Sequence, residues 1–310
     1  MKTALIFPGQ GSQFIGMGYD FYLNFQSSRD IYHQLDQIMG KNLSKLIFNG
    51  EENDLALTQN SQPAIMATSI AIFESLKSEG KLSENSFHCV GGHSLGEYSA
   101  LVANKSLNFK DSVELLKIRS KAMQESMPIG SGGMVAIIGA KQDEVNMLLN
   151  NVNSLGKIFI ANDNADGQVV LSGEMKAIDH IVSNSKKFGI KRAIKLTVSA
   201  PFHCELMSKA SMVMQEEIKK FNFSKFYVPL YSNVSSLPCD HEIIKEILVD
   251  QIIQKVRWRE IIVNMINDGI ERFVEIGPGN VLTNLVKRIS KNVTSISISK
   301  VDDLIKLESA

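Results

Sequence analysis

Hydrophobic residues along the chain fall into two kinds of segment that alternate. Short, mostly apolar runs closed by glycine or proline, such as Thr3–Phe7 before Pro8-Gly9 and Phe87–Val90 before Gly91-Gly92, predict buried strands. Longer stretches with apolar residues at helical spacing, such as Ala64–Leu76 and Leu95–Val102, predict helices, and another is expected to begin within Tyr19–Phe25. Strand, tight glycine turn and helix in succession describe a mostly parallel α/β sheet.

The middle of the chain follows a different rhythm. Strand Met134–Ile138, helix Gln142–Val152, strands Lys157–Ala161 and Gln168–Leu171, helix Met175–Phe188 and strand Arg192–Val198 are predicted in turn, with Asn162–Gly167 as a turn. That βαββαβ order is the one of a ferredoxin-like unit. Gly130-Ser131-Gly132-Gly133 precedes it and Ala200-Pro201 follows it, so residues 129–199 read as a small subdomain inserted between residues 1–128 and 200–310 of a larger one. The α/β alternation then resumes. Helix Glu205–Lys220, strand Val228–Tyr231, helices near Ile243–Ile253 and Arg259–Asn267, strand Arg272–Ile276, helix Val281–Ile289 and strand Ser295–Ile298 are expected.

Composition narrows the class. With 33 basic and 33 acidic residues the formal charge is zero, which argues against a general nucleic-acid binder. The apolar stretch at the amino terminus ends at Pro8, too early for a signal peptide, and Pro128–Ala140, the least charged long stretch, holds four glycines and is too short for a bilayer. Cys89, Cys204 and Cys239 are scattered, and neither they nor the six histidines show metal-ligand spacing. The expectation is a cytoplasmic protein with reduced thiols, no metal, no cofactor, and no membrane or nucleic-acid partner.

Gly92-His93-Ser94-Leu95-Gly96 carries the first chemical signal. Gly-x-Ser-x-Gly between a strand and a helix places the serine on a sharp turn, exposed to substrate, with helix N–H groups aimed at any anion that forms there. An ordinary Gly/Ser turn uses the same letters, and the strand and helix flanks favour the nucleophile. The serine needs a base. His93 adjoins it on a tight turn and points away, whereas His203 sits in a short fixed segment after Ala200-Pro201-Phe202. Asp111–Met127 reads as an amphipathic helix with Val113, Leu115, Leu116, Ala122 and Met123 on its apolar face, and Arg119 projects from that face. A buried guanidinium requires an anion or strong acceptors, which leaves two readings: a structural salt bridge, or a clamp for a substrate carboxylate.

Together these segments resemble the malonyl-CoA:acyl-carrier-protein transacylases, nearly end to end. The resemblance runs through Phe7-Pro8-Gly9-Gln10-Gly11-Ser12-Gln13, Gln59-Asn60-Ser61-Gln62-Pro63-Ala64, Gly92–Tyr98, Arg119, Asn162, Gly167–Gly173, Pro201-Phe202-His203, Val256-Arg257-Trp258 and Glu275–Gly279. It implies a hydrolase-like large subdomain with a ferredoxin-like insertion. It also implies an enzyme that moves malonyl from malonyl-CoA to holo-acyl carrier protein for fatty-acid synthesis, acting as a monomer.

The resemblance assigns roles. Ser94 would be acylated, His203 would be its base, and the Gln10 and Leu95 N–H groups would form the oxyanion hole. Arg119 would hold the malonyl carboxylate, with Gln10, Gln62, His93, Asn162 and Phe202 also at the substrate. The Gln251 carbonyl would orient His203 in place of an acid. Lys191 and Arg192, within a basic cluster with Lys186, Lys187 and Lys195, match carrier-docking positions. A trans-acting polyketide acyltransferase would use the same chemistry. A thioesterase or lipase-like hydrolase, or a carrier-binding module without activity, fits the Ser94, His203 and Arg119 set less well.

Overall fold

The structure is a computed structural model that describes residues 1–198 and 200–307. Ser199, at the expected end of the inserted unit, and residues 308–310 lie outside the described residues. The strands in chain order are β1 (Thr3–Phe7), β2 (Cys89–Gly92), β3 (Gly132–Ile138), β4 (Ile158–Ala165) and β5 (Gln168–Glu174), followed by β6 (Arg192–Lys195), β7 (Leu230–Tyr231), β8 (Arg272–Ile276) and β9 (Thr294–Ile298). They build two sheets, a five-stranded one in the order β7-β2-β1-β8-β9 and a four-stranded one in the order β4-β5-β3-β6. Neighbours in the first are all parallel, and neighbours in the second are all antiparallel.

All five residues of β1 are buried, as expected for the central strand of a sheet covered on both faces. Leu5 and Phe7 enter the main core, while Ala4 and Ile6 face a second one with Trp258, Ile262 and Leu285. The Thr58–Ser78 helix runs through the main core and is buried along nearly its whole length. Its middle, Ala64–Phe73, is apolar or small on every side, which suits a helix enclosed by other elements.

The four-stranded sheet packs Val135, Ile137 and Leu171 against Val145, Leu148, Ala177, Ile178 and Ile181 of its two helices. Its strand order is that of a ferredoxin-like unit, set between β2 and β7 of the parallel sheet.

Several boundaries differ from the sequence reading for identifiable reasons. The turn expected over Asn162–Gly167 shrinks to Asp166-Gly167, and β4 continues through Asn162, Asp163 and Asn164 with two register shifts. Those polar residues stay in a strand because the large subdomain satisfies them. Val256 N–H donates to the Ala161 carbonyl at 2.8 Å and Asp163 N–H donates to the Val256 carbonyl at 2.9 Å. Arg259 grips the Asp163 carboxylate at 2.8 and 3.0 Å. The expected Glu205–Lys220 helix is regular only over Ser208–Glu217, with a 3₁₀ turn at each end. β6 stops at Lys195, and β7 is reduced to two residues.

The Arg259–Asp163 fork is one side-chain stitch between β4 and the Trp258–Asn267 helix that packs on the parallel sheet. Arg259→Met should reduce stability by about 1 kcal/mol, the usual range for a partly exposed charge-assisted bond. Amide hydrogen exchange should rise at Asn162–Asn164 and not in β1, and uniform exchange would show that the fork stitches nothing.

Candidate active site

Parallel sheets gather chemistry at the carboxyl ends of their strands. Here β1 runs into Pro8–Gln10, β2 into His93-Ser94 and β7 into Ser232-Asn233. Ser94 sits in the left-handed region at φ 54, and the Gly96–Ala103 helix starts two residues later. The turn depends on bare backbone. A Cβ on Gly92 would strike the Gly96 carbonyl, and one on Gly96 would strike the Phe7 carbonyl. A serine forced to positive φ stores strain of about 1–3 kcal/mol, so other contacts must hold it. Asn233 supplies them. Its Oδ1 accepts from Ser94 N–H at 2.7 Å, and its Nδ2 donates to the Gly92 carbonyl at 2.7 Å.

Ser94 Oγ lies 2.8 Å from His203 Nε2, and His203 Nδ1 lies 2.8 Å from the Gln251 carbonyl oxygen. A carbonyl can only accept, so Nδ1 carries the proton and Nε2 is left as the acceptor for the serine hydroxyl. His203 is held at φ 59, and Ser172 Oγ anchors the preceding Phe202 carbonyl at 2.6 Å. Burial first, and the Arg119 charge second, push the His203 pKa down to about 3. The imidazole is therefore neutral near pH 7 and able to take a proton. His93 faces elsewhere, with Nε2 2.9 Å from Asn164 Oδ1 and its ring against Trp258.

Arg119 comes from the Phe109–Glu125 helix and is completely buried. Nη1 donates to Gln62 Oε1 at 2.6 Å, and Nη2 donates to Gln251 Oε1 at 2.8 Å and to Ser94 Oγ at 3.2 Å. Among the described residues Nε has no partner, and the guanidinium lies 5.7 Å from the Tyr98 ring centre. Among the described residues no carboxylate forms an ion pair with it, so its partners are two amide oxygens and a hydroxyl. A buried cation held by neutral dipoles, with N–H groups to spare, can receive an anion.

Ser94 and His203 open onto a cavity of about 330 Å³ between the subdomains. The large subdomain contributes Gln10 and His93 to its wall, the small one contributes Asn162, Asn164 and the Leu196–Val198 stretch, and Phe202 closes one side. Gln62, Arg119 and Gln251 are buried behind Ser94, outside the wall itself. Among the described residues the main-chain N–H groups of Gln10 and Leu95 have no acceptor within the chain. Lys191 and Arg192 are exposed and away from the cavity, at the start of the strand that leads into Leu196–Val198. No group of residues suited to hold a metal ion occurs among those described, and none of the described helices is long and apolar enough to cross a membrane.

Three members of this site escaped the sequence reading: Asn164, Asn233 and Glu97. Asn233 follows a short strand in a parallel sheet, where the carboxyl-end rule points. Glu97 is an acid in the first turn of a helix whose other residues, Tyr98-Ser99-Ala100-Leu101-Val102-Ala103, are apolar or small, which is itself a signal. Asn164 fell in the segment read as a turn.

The chain was compared with known proteins. The acyl transferase domain family matches residues 4–305. A malonyl CoA-acyl carrier protein transacylase from Bacillus subtilis is 40% identical over 300 residues, covering 96% of this chain and 93% of the relative. The structure of an acyl-carrier-protein-S-malonyltransferase from Bartonella henselae superposes with a TM-score of 0.95 at 40% identity, covering 99% of this chain and 98% of that one. A malonyl-transacylase in complex with its type II PKS acyl-carrier protein gives a TM-score of 0.95 at 34% identity over the whole of both chains. The chain belongs to the acyl transferase domain family, among the malonyl-CoA–acyl carrier protein transacylases.

Proposed function

We propose that this chain transfers malonyl from malonyl-CoA to the phosphopantetheine thiol of an acyl carrier protein, through an ester on Ser94. One observation carries the reading: the Ser94 hydroxyl contacts His203 Nε2 on one side and the buried Arg119 guanidinium on the other. The first contact suits a nucleophile, and the second suits an acyl group that bears its own carboxylate.

In the first half-reaction Ser94 Oγ bonds to the thioester carbon while its proton passes to His203 Nε2. The tetrahedral oxyanion would rest on the Gln10 and Leu95 N–H groups, each such donor being worth about 10²–10³ in rate. The carbon–sulfur bond then breaks, and CoA leaves as the thiol with the proton from His203. In the second half-reaction the carrier thiol gives its proton to His203 and attacks the Ser94 ester, and Ser94 Oγ departs and recovers that proton. A neutral imidazole is required at the start of each half-reaction, and the depressed His203 pKa supports this.

Arg119, steadied by Gln62 and Gln251, takes the malonyl carboxylate in this reading. His93, Asn162 and Phe202 bound the space for the acyl chain, and the Gln251 carbonyl keeps His203 in register. Lys191 and Arg192 are exposed cations at the start of the strand that leads to the Leu196–Val198 wall, which suits an acidic carrier protein. The groups named for the reaction form a complete set within one chain, so the proposed action needs no second copy. The unpaired cysteines suit the cytoplasm. The neighbour solved with a type II PKS acyl-carrier protein favours one second reading, service to such a carrier by the same chemistry.

Brief mixing with malonyl-CoA should leave a malonyl adduct on Ser94, detected by mass spectrometry of its peptide. A folded enzyme that stays unmodified would sink the proposal. Arg119→Ala should lower kcat/KM for malonyl-CoA about tenfold or more beyond any loss with acetyl-CoA, the scale of one charge-assisted bond. Asn233→Ala strips both Ser94 N–H and the Gly92 carbonyl of their partner. It should reduce stability by about 1–3 kcal/mol in urea unfolding and slow transfer of both acyl groups alike.

A further inference from the structure

Glu97 is completely buried in the first turn of the Gly96–Ala103 helix, three residues past Ser94. No step of the proposed reaction uses it. Its Oε1 accepts from the Asn233 main-chain N–H at 3.0 Å, and its Oε2 accepts a short hydrogen bond from Gln251 Nε2. Gln251 Nε2 also donates to the Ser94 carbonyl at 3.0 Å, and Gln251 Oε1 accepts from Arg119 Nη2 at 2.8 Å. The Gln251 amide therefore lies between a buried guanidinium and a buried carboxyl group that do not touch.

The donor and acceptor inventory admits one orientation of that amide. Arg119 can only donate, while the Ser94 carbonyl and an ionised Glu97 can only accept. Turned over, Gln251 would aim N–H at N–H on one side and oxygen at two oxygens on the other. Resting on the reading of Arg119 as a malonyl clamp, we propose that Glu97 is a positioning residue: as an acceptor-only group it fixes the Gln251 amide with its oxygen towards Arg119, and so holds the guanidinium ready for the substrate carboxylate. The intervening amide matters as much as the charge. A carboxylate bonded directly to Arg119 would occupy the N–H groups that the substrate needs, whereas Glu97 balances the charge from one residue away.

Glutamine at position 97 removes this control. Its oxygen can satisfy either Asn233 N–H or Gln251 Nε2, and its own NH₂ then confronts the other donor. Relief comes from turning Gln251, which sets N–H against Arg119. Protonation of Glu97 acts the same way, since it converts one acceptor into a donor. Burial raises the Glu97 pKa to about 7, against the lowering effects of Asn233, Gln251 and Arg119. The titratable groups that face it are Arg119, Tyr98 and Cys239, and burial pushes the last two up to about 12, so they stay neutral through this range.

The experiment compares malonyl-CoA and acetyl-CoA as donors for wild type, Glu97→Gln and Glu97→Asp, with Ser94 acylation read by mass and the unfolding midpoint recorded for each. Glu97→Gln should lower kcat/KM for malonyl-CoA about tenfold or more, lower that for acetyl-CoA about threefold or less, and Glu97→Asp should recover part of the difference. In wild type the KM for malonyl-CoA should rise as pH falls from 8 to 6 while the KM for acetyl-CoA stays level, and Glu97→Gln should lose that slope. The wild-type profile decides the matter even where Glu97→Gln fails to fold. Equal losses for the two donors, or a level malonyl KM in wild type, would overturn the role of Glu97. A wild-type enzyme that forms no Ser94 adduct would instead overturn the transacylase reading beneath it.

Discussion

A guanidinium held wholly out of water beside a serine hydroxyl is the constraint around which this molecule is arranged. Among the described residues Arg119 has no carboxylate to neutralise it directly, and an isolated buried charge is too costly to persist. The fold answers with dipoles: amide oxygens from Gln62 and Gln251, the Ser94 hydroxyl and the face of Tyr98. These groups come from separate stretches of chain that must all arrive correctly. Neutral partners can yield to an incoming anion with little loss. A structural salt bridge, the alternative left open by the sequence, would have kept Arg119 closed to a ligand.

The same charge reaches the other proposed groups of the reaction. It depresses the His203 pKa together with burial, so the imidazole stays unprotonated beside the serine without an acid partner. A buried carboxylate at Nδ1 would raise the basicity of the ring and compete for Arg119, whereas the Gln251 carbonyl fixes the tautomer without adding charge. Gln251 thus links several neighbours: its main chain sets His203, and its side chain joins Arg119 to the Ser94 carbonyl and Glu97. The elbow is stabilised independently. Asn233 clamps both sides of the strained turn, and glycines at positions 92 and 96 make the turn possible.

Much of this was legible in the sequence because the signals were local. A short apolar run closed by Pro8-Gly9 marked β1, helical spacing marked Gln142–Val152 and Val281–Ile289, and Gly-x-Ser-x-Gly between a strand and a helix marked Ser94. Arg119 stood out because a charge on an apolar face violates the pattern around it. What stayed hidden depends on contacts distant in the chain. Asn162–Asn164 reads as a turn by composition and becomes strand because β5 goes on pairing with it on one side while Val256 and Arg259, far along the chain, hold it on the other. Asn233 and Glu97 look like loop and surface residues until β7 and β2 lie side by side in the sheet. His203 at φ 59 follows from no local preference at all, since its geometry is set by Ser172 and Gln251 from other elements.

The division between the two sheets follows from these demands. Strained backbone and buried charge need a rigid, fully covered support, and the parallel sheet with its enclosed Thr58–Ser78 helix provides one. The antiparallel sheet carries none of that strain and supplies a wall, through Asn162, Asn164 and Leu196–Val198. In the proposed reaction a malonyl group bound by its carboxylate at Arg119, behind Ser94, must present its thioester towards the open cavity. Both thiols then come and go by the same cleft, one after the other. A single neutral imidazole can serve each in turn because the acyl group stays anchored at its far end while the thiols exchange.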